Sequence, residues 1–196
     1  VKSDYPIFTA AIAEPIQGEG GIVEIDDLAL KDMRMLCDEL DFPLIFDEIQ
    51  SGMGRTGTFF ASQKSGVVAD LYLIAKSIGG GLIKNSCVFI KKDQYEKPFG
   101  VIHTSTFAED DLSATVGLKV VDMLEKDNGA AYKKAIKIGE RIVEGLEKIK
   151  ESYPGVIKEI RGRGLMLGIE FYDFKLADSS VFRNITKWDI VGYTLF

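Results

Sequence analysis

The chain contains the run Asp70-Leu-Tyr-Leu-Ile-Ala-Lys76-Ser-Ile-Gly79-Gly-Gly81. Its five apolar residues, 71–75, predict a short buried strand. Lys76 follows at once, so the strand would deliver an amine to the edge of a sheet, where α/β folds bind ligands. A lysine that is desolvated there loses its proton more easily and can attack a carbonyl carbon to form a Schiff base. Taken alone, the run also fits a surface lysine before a flexible glycine loop.

Similar apolar runs elsewhere predict further strands. They lie at residues 8–13, 43–46 and 86–90. An amphipathic helix from about Leu28 to Asp41 is expected between the first two. Strands that alternate with helices or long loops favour a mainly parallel sheet with both faces covered, so the predicted fold class is α/β.

After Asp111 the hydrophobic pattern changes to a helical period. Residues 112–126 and 130–152 predict two long amphipathic helices, with a break at Asp127-Asn128-Gly129 between them. We therefore expect a domain boundary near Asp127. Residues 1–126 would form part of a large sheet-bearing domain, and residues 127–196 part of a small α+β domain.

The small domain is expected to contain two strands. Residues 156–160 and 165–171 predict strands on either side of a tight turn at Arg161-Gly-Arg-Gly164.

Composition narrows the class of protein. The chain has 196 residues, of which 46% are hydrophobic and 28% charged, as is typical of a globular chain with a buried core. Its formal net charge of −6 disfavours a general nucleic-acid-binding protein. A single histidine, His103, and the cysteines Cys37 and Cys87 without C-x-x-C spacing disfavour a zinc site. The cysteines suit a reducing compartment, no apolar run has membrane-spanning length, and we expect a cytoplasmic protein.

Polar residues gather where the predicted strands end. They are Glu14, Gln17 and Glu19, then Asp47 and Gln50, then Lys76, and finally His103, Ser105 and Thr106. In a parallel sheet such strand ends converge on one edge. A carboxylate after a buried strand is costly to bury unless it is paired, so Asp47 either has a cationic partner or caps a loop or helix.

A strand-end acid and a strand-end lysine together suggest pyridoxal 5'-phosphate. This cofactor needs a lysine for its aldehyde, here Lys76, and an acid that keeps its ring nitrogen protonated, here Asp47, so that the ring withdraws electrons. It also needs hydrogen-bond donors for its phosphate, which Ser105, Thr106 and nearby backbone amides could supply.

Five motifs follow one another along the chain. They are Glu14-Pro-Ile-Gln-Gly-Glu-Gly-Gly21, Asp47-Glu-Ile-Gln-Ser-Gly-Met-Gly-Arg-Thr-Gly57, Ala75-Lys-Ser-Ile-Gly-Gly-Gly81, His103-Thr-Ser-Thr-Phe107 and Arg161-Gly-Arg-Gly-Leu165. Their order resembles the class III pyridoxal-phosphate aminotransferases, which include the ornithine, acetylornithine and 4-aminobutyrate enzymes. The resemblance covers about residues 8–171 and implies fold type I of the pyridoxal-phosphate-dependent transferases, with part of the large mainly parallel-sheet domain and part of the small C-terminal α+β domain.

The resemblance also implies roles at the cofactor. Lys76 would hold it as a Schiff base and shuttle a proton during the transfer, and Asp47 would pair with the ring nitrogen. Gln50 would contact the phenolic oxygen of the ring. Thr106 would reach the phosphate of the cofactor in the neighbouring subunit, which implies a homodimer with shared active sites.

The implied substrates are small amines and 2-oxo acids. Arg161 would grip a substrate carboxylate with its guanidinium fork, and Glu19 would pair with Arg161 when the bound amine has no α-carboxylate. The reaction would move an amino group from an ω-amine or amino acid to a 2-oxo acid, expected to be 2-oxoglutarate. The alternatives are an inactive or truncated homologue that serves as a binding or scaffold module, and another lysine-dependent enzyme of the aldolase type.

Two features depart from the family pattern. Phe107-Ala-Glu-Asp-Asp111 stands where the family has an aromatic residue followed by Gly-Gly-Asn-Pro, and the acids beside Thr106 are expected to repel a phosphate. The N-terminal half of the family, with its phosphate-binding cup and the aromatic residue that stacks on the ring, has no counterpart here. We therefore expect the chain to be a fragment of a longer protein.

Overall fold

A computed structural model of the chain describes residues 8–102, 106, 108 and 110–172. The predicted phosphate-site residue Ser105 and the strand-end residue His103 lie outside the described residues, as does the segment 173–196.

Eight strands and three α-helices make up the described fold. The strands are β1 (Ala11–Ala13), β2 (Ile16–Gln17), β3 (Val23–Glu24), β4 (Leu44–Asp47), β5 (Leu71–Ile74), β6 (Cys87–Ile90), β7 (Ile157–Arg163) and β8 (Met166–Phe171). The helices are α1 (Asp27–Glu39), α2 (Lys97–Ile102) and α3 (Asp111–Ser152), and 3₁₀ turns lie at Ala61–Ser65, Lys76–Gly79 and Lys92–Gln94.

The central sheet has the strand order β1-β4-β5-β6. β1 pairs with β4 and β4 with β5 in parallel, so that Ala13 lies opposite Phe46 and Asp47 opposite Leu73. The mainly parallel sheet is as predicted. β6, however, runs antiparallel to β5, with Cys87 opposite Ile74. The expectation that all four strand ends meet at one edge is therefore wrong for the fourth strand.

The core of the sheet forms where alternate residues of β4 meet α1. Leu44 and Phe46 are fully buried and pack with Leu30 and Cys37 of the helix. Burial of a side chain such as Phe46 contributes about 2 to 3 kcal/mol relative to exposure. The helix begins where Asp26 accepts a hydrogen bond of 2.8 Å from the backbone N–H of Leu28, which satisfies one of its otherwise unpaired donors.

Helix α3 consists of two helical segments, as its sequence predicted. The backbone leaves helical geometry at Lys126, and Asp127, Asn128 and Gly129 follow with φ of 54°, 54° and 68°. Glycine adopts such left-handed angles readily, and Asn and Asp do so more often than other residues with a side chain. The first segment begins with a cap, because the Asp110 carboxylate accepts a hydrogen bond of 2.8 Å from the N–H of Ser113.

Strands β7 and β8 form an antiparallel hairpin. Arg163 lies opposite Met166, so the turn consists of Gly164 and Leu165. The predicted turn at residues 161–164 is wrong by about two positions, because the pairing of β7 with β8 continues through Arg161 and Arg163. Met166 packs with Ile16, Ile22 and Ala61 in a small apolar cluster, which fixes the hairpin against the β2–β3 hairpin.

Candidate active site

Three segments that carry predicted site residues leave the sheet at the same edge. β1, β4 and β5 are parallel neighbours, and Glu14, Asp47 and Lys76 lie at or just beyond their carboxyl ends. The backbone N–H of Glu48 donates a hydrogen bond of 2.9 Å to the carbonyl of Leu73, so the pairing of β4 and β5 extends to this edge. The parallel topology thus brings the acid and the lysine to the same edge of the sheet, as the sequence predicted.

Asp47 faces a cavity of about 380 Å³. The cavity is lined by Ile12, Ala13, Glu14, Gln17, Ile25 and Asp47. Its size falls within the range of about 300 to 1,000 Å³ that small-molecule sites occupy. Asp47 is partly buried, and its Oδ1 atom accepts a hydrogen bond of 3.0 Å from the N–H of Ile49, which orients the carboxylate.

Gln50 carries an unsatisfied polar atom. Its Nε2 lies 3.5 Å from the Oε1 atom of Glu19, and its own Oε1 is buried without a hydrogen-bond partner among the residues that the structure describes. The side chain lies against the backbone of Gly18, where a Cβ atom would come within 2.4 Å of Gln50 Cδ. Buried polar atoms are nearly always hydrogen-bonded, so this atom marks a place where a polar group fits.

Lys76 stands in an unusual backbone conformation. It begins the 3₁₀ turn after β5, its side chain is exposed, and its φ of 51° lies in the left-handed region. A residue with a side chain pays about 1 to 3 kcal/mol for such a conformation, and such residues cluster at functional sites. The next residue, Ser77, accepts a hydrogen bond of 2.9 Å from Arg55 Nη2.

The loop between β1 and β2 is held by one of its own acids. The Oε2 atom of Glu14 accepts a hydrogen bond of 2.9 Å from the N–H of Gly18, so the loop folds back on itself. This fold places Glu19 beside Gln50, within the group of predicted site residues.

Arg161 lies in β7 and already has partners. Its Nε donates to the carbonyl of Gly21 at 2.6 Å, and its Nη1 lies 2.6 Å from Glu170 and 2.8 Å from Glu159. The bond to Glu170, with the contribution of Glu159, raises the pKa of the Arg161 guanidinium above its ordinary value despite partial burial. The structure therefore places Arg161 next to the loop of Glu19, but its ion pairs are with Glu159 and Glu170.

The chain after β6 leaves the sheet at the edge opposite Lys76. Because β6 is antiparallel to β5, the chain leaves it beside Asp70, at the opposite edge from Lys76, where the N–H of Lys91 bonds the Asp70 carbonyl at 2.9 Å. Thr106 is an exposed turn residue. Asp110, one of the acids expected to repel a phosphate, caps α3, and its hydrogen bond with Ser113 lowers the pKa of its carboxyl.

Sequence reasoning missed two residues beside the site. Glu48 is 1% exposed, and its carboxylate accepts hydrogen bonds from Ser51 Oγ at 2.7 Å and from the N–H groups of Ala61 and Ser62 at 2.9 Å. The available signal was the pair of acids directly after a buried strand, since one of two such carboxylates must be satisfied internally. Arg55, the second, is the one charged residue in the glycine-rich loop 51–57.

The described residues hold neither a cluster of metal-ligating side chains nor a helix that could span a membrane. Within residues 8–102, 106, 108 and 110–172, no group of three or more His, Cys, Asp or Glu side chains is arranged to hold a metal ion. Over the same ranges, no helix combines the length and the apolar character needed to cross a membrane.

Solved structures share this arrangement of strands and helices. The acetylornithine aminotransferase from Elizabethkingia anophelis has a TM-score of 0.75 and 30% identity, over 90% of this chain and 43% of that one. The ornithine aminotransferase PY00104 from Plasmodium yoelii has a TM-score of 0.73 and 30% identity, over 83% of this chain and 42% of that one. These likenesses confirm the predicted fold class.

Curated proteins and a family model agree with the structural likeness. The chain is 42% identical to the acetylornithine aminotransferase of Agrobacterium fabrum (strain C58 / ATCC 33970) over 161 residues, which is 82% of this chain and 40% of that protein. It is 39% identical to that of Mesorhizobium japonicum over 171 residues, or 86% of this chain and 42% of that protein. The chain thus spans about two fifths of the length of these relatives. A model of the class-III aminotransferases matches residues 4–188, and the chain belongs to this family.

Proposed function

We propose that the protein containing this chain is a pyridoxal-phosphate-dependent aminotransferase. It would move an amino group between an ω-amine or amino acid and a 2-oxo acid, with 2-oxoglutarate as the expected acceptor. The observation that carries the proposal is the position of Asp47 and Lys76 at the carboxyl ends of adjacent parallel strands. Family membership and the aminotransferase names of the relatives support the same reaction.

The residues at this edge fit pyridoxal phosphate. The cavity beside Asp47 has a volume in the range of small-molecule sites. The buried Oε1 atom of Gln50 has no hydrogen-bond partner among the described residues and could accept a hydrogen bond from a ligand. The cofactor supplies an aldehyde that reacts with amines and a ring that withdraws electrons when its nitrogen is protonated. Lys76 would hold it covalently as a Schiff base through Nζ, and Asp47 and Gln50 would contact its ring. Ser105 and Thr106 are proposed to bind the phosphate, with Thr106 acting across a homodimer interface.

The reaction requires a proton to be held and another to be moved. The Asp47 carboxylate would keep the proton on the ring nitrogen, because a nearby negative charge stabilises a protonated base. Its bond from the N–H of Ile49 fixes its direction before the cofactor arrives. Lys76 Nζ is the proposed base that takes up and returns the proton during amino transfer, since it lies at the neighbouring strand end.

Substrate selection is assigned to the loop after β1 and to the hairpin. Glu19 is proposed to distinguish amines with and without an α-carboxylate. For Arg161 to bind a substrate carboxylate with both of its Nη atoms, it would have to release Glu159 and Glu170 from Nη1, where both acids lie here. The family relation and the names of the relatives favour ornithine or acetylornithine as amino donors.

The test uses the full-length protein. Purified enzyme is reduced with borohydride after incubation with pyridoxal phosphate, and its peptides are mapped by mass spectrometry; we expect the cofactor on the peptide that contains Lys76. The same preparation is assayed with ornithine, acetylornithine and 4-aminobutyrate as donors and 2-oxoglutarate as acceptor. Label on another lysine would contradict the site assignment, and absence of transfer with every donor would favour the scaffold alternative.

A further inference from the structure

The strained turn at Lys76 is held by contacts on both of its sides. On the inner side Ile78, 7% exposed, packs in a cluster with Met53. On the other side the hydroxyl of Ser77 accepts the hydrogen bond of 2.9 Å from Arg55 Nη2. A residue with a side chain keeps a left-handed conformation only where its surroundings fix it, so the contacts of Ile78 and Ser77 determine the direction in which Lys76 leaves the backbone.

Burying the Arg55 guanidinium to make this contact is energetically unfavourable. Burial lowers the pKa of its guanidinium, and over residues 8–102, 106, 108 and 110–172 no carboxylate lies within ion-pair distance of it. Its one side-chain hydrogen bond among these residues goes to the neutral hydroxyl of Ser77. A desolvated charge without an opposite charge destabilises a fold. Buried charges without an opposite charge are expected at functional sites more than in parts of the fold that serve only stability.

The backbone of Arg55 is fixed from the opposite direction. Its carbonyl accepts a hydrogen bond of 2.8 Å from the N–H of Leu165, at the tip of the β7–β8 hairpin. Gly164 lies so close that a Cβ atom there would come within 2.5 Å of the same oxygen. Within the loop, Thr56 Oγ1 donates to the carbonyl of Ser51 at 3.3 Å. The guanidinium therefore reaches Ser77 from a backbone that is anchored on two sides.

We propose that Arg55 is a positioning residue that holds the turn of Lys76 through Ser77. Its hydrogen bond keeps the turn in its left-handed conformation and so directs the lysine amine. The catalytic consequence rests on the function proposed above, whereas the effect on the turn follows from the contacts alone. Loss of Arg55 should therefore change the reactivity of Lys76 more than it changes substrate binding.

The experiment compares Arg55→Ala, Arg55→Lys and Ser77→Ala in the full-length protein, with Arg141→Ala as the matched control because Arg141 is exposed on α3. Hydrogen exchange is first measured without cofactor on the peptide that covers residues 76–80. We expect Arg55→Ala and Ser77→Ala to speed exchange there by about tenfold, on the scale of one hydrogen bond to a charged group. Arg55→Lys should recover part of the protection, and Arg141→Ala should leave it unchanged.

A second measurement addresses the chemistry. The absorbance of bound pyridoxal phosphate is titrated with pH, and kcat and KM are determined for each variant. We expect Arg55→Ala to shift the midpoint of the titration and to lower kcat by about tenfold, about 1.4 kcal/mol of activation free energy. The KM of the amine should stay within about twofold, and Arg55→Lys should restore part of kcat.

Two results would overturn the proposal. One is unchanged exchange at residues 76–80 in both Arg55→Ala and Ser77→Ala. The other is a midpoint and kcat like those of the wild type despite faster exchange, which would leave Arg55 a purely structural role. If the wild-type protein neither binds pyridoxal phosphate nor transfers an amino group, the proposed function fails. The exchange measurement without cofactor still decides whether Arg55 holds the turn.

Discussion

The Nε atom of Arg161 donates a hydrogen bond of 2.6 Å to the backbone carbonyl of Gly21, 140 positions away along the chain. The same guanidinium is held within the β7–β8 hairpin by Glu159 and Glu170. Arg161 thus joins the hairpin to the loop that carries Glu19, so its loss should disturb both elements at once.

We expect Arg161→Ala in the full-length protein to lower the free energy of unfolding by about 1.5 kcal/mol, as for a hydrogen bond to a charged group, and to raise KM for both substrates. Arg161→Lys should be milder because it keeps the charge but loses the planar fork. Thermal unfolding and steady-state kinetics measure the two effects, with Arg141→Ala as control. An unchanged Tm together with a raised KM for the carboxylate substrate alone would show a substrate clamp rather than a bridge.

Asp47→Asn tests the proposed electron withdrawal. Asparagine has nearly the same shape but no charge with which to hold a proton on the ring nitrogen. We expect kcat to fall at least ~10²-fold, with ~1.4 kcal/mol per factor of ten, while pyridoxal phosphate affinity changes much less. Single-turnover kinetics and a cofactor titration give the two quantities. A variant with kcat near that of the wild type would argue against the cofactor assignment.

Glu48 should matter for stability more than its position in the sequence suggests. Glu48→Ala leaves the N–H groups of Ala61 and Ser62 without their acceptor inside the protein, and we expect a loss of about 3 kcal/mol. Glu48→Gln should be intermediate because its amide keeps one acceptor oxygen. Chemical unfolding checks both variants against Glu39→Gln, which alters an exposed acid on α1. Equal stability of all three would mean that the buried carboxylate is dispensable.

The environment of Asp70 predicts that the stability of the fold falls at low pH. Burial by itself raises the pKa of the Asp70 carboxyl, but the hydrogen bonds from the Leu44 N–H and from Arg34, with the charges of Arg34 and Lys91, lower it below its usual value. A carboxyl whose pKa is depressed in the folded state stabilises above its unfolded pKa, and that contribution is lost as pH falls through the folded pKa.

Asp70→Asn should therefore flatten the decline of stability below about pH 4, where an unperturbed carboxyl titrates. At pH 7 the variant should be less stable than the wild type, and the two should converge in acid. Unfolding curves at several pH values measure this, with Asp32→Asn as the exposed control on α1. Parallel curves for the wild type and Asp70→Asn would contradict the assignment.

The elements marked by a local sequence pattern were predictable, whereas the features that depend on contacts between residues distant in the sequence were not. Residues 44–46 and 71–74 are apolar runs, and the break at Asp127–Gly129 has residues that tolerate left-handed angles, so each was visible in the sequence. The direction of β6 depends on the partner that it finds across β5, which a run of four apolar residues does not encode. The hairpin turn shifted because β pairing continued through Arg163.

The candidate site shows the same division. Asp47 and Lys76 were singled out because each ends or follows an apolar run, and parallel pairing brings the ends of those two strands to one edge. The partners of Arg161 were not predictable, since Gly21 lies 140 positions away and Glu170 is on the opposite strand. Arg55 was overlooked because a charged residue in a glycine-rich loop is ordinarily solvated.

The contact between α3 and the β7–β8 hairpin limits how this fold can be recombined. A Cβ atom at Gly139 would lie 1.9 Å from the carbonyl oxygen of Gly164, so helix and hairpin meet backbone to backbone with no side chain to adjust. The same hairpin tip touches Arg55 through Leu165. A chimera that imports the hairpin of a relative would therefore have to import the second segment of α3 and the loop around Arg55 together, as one exchangeable block.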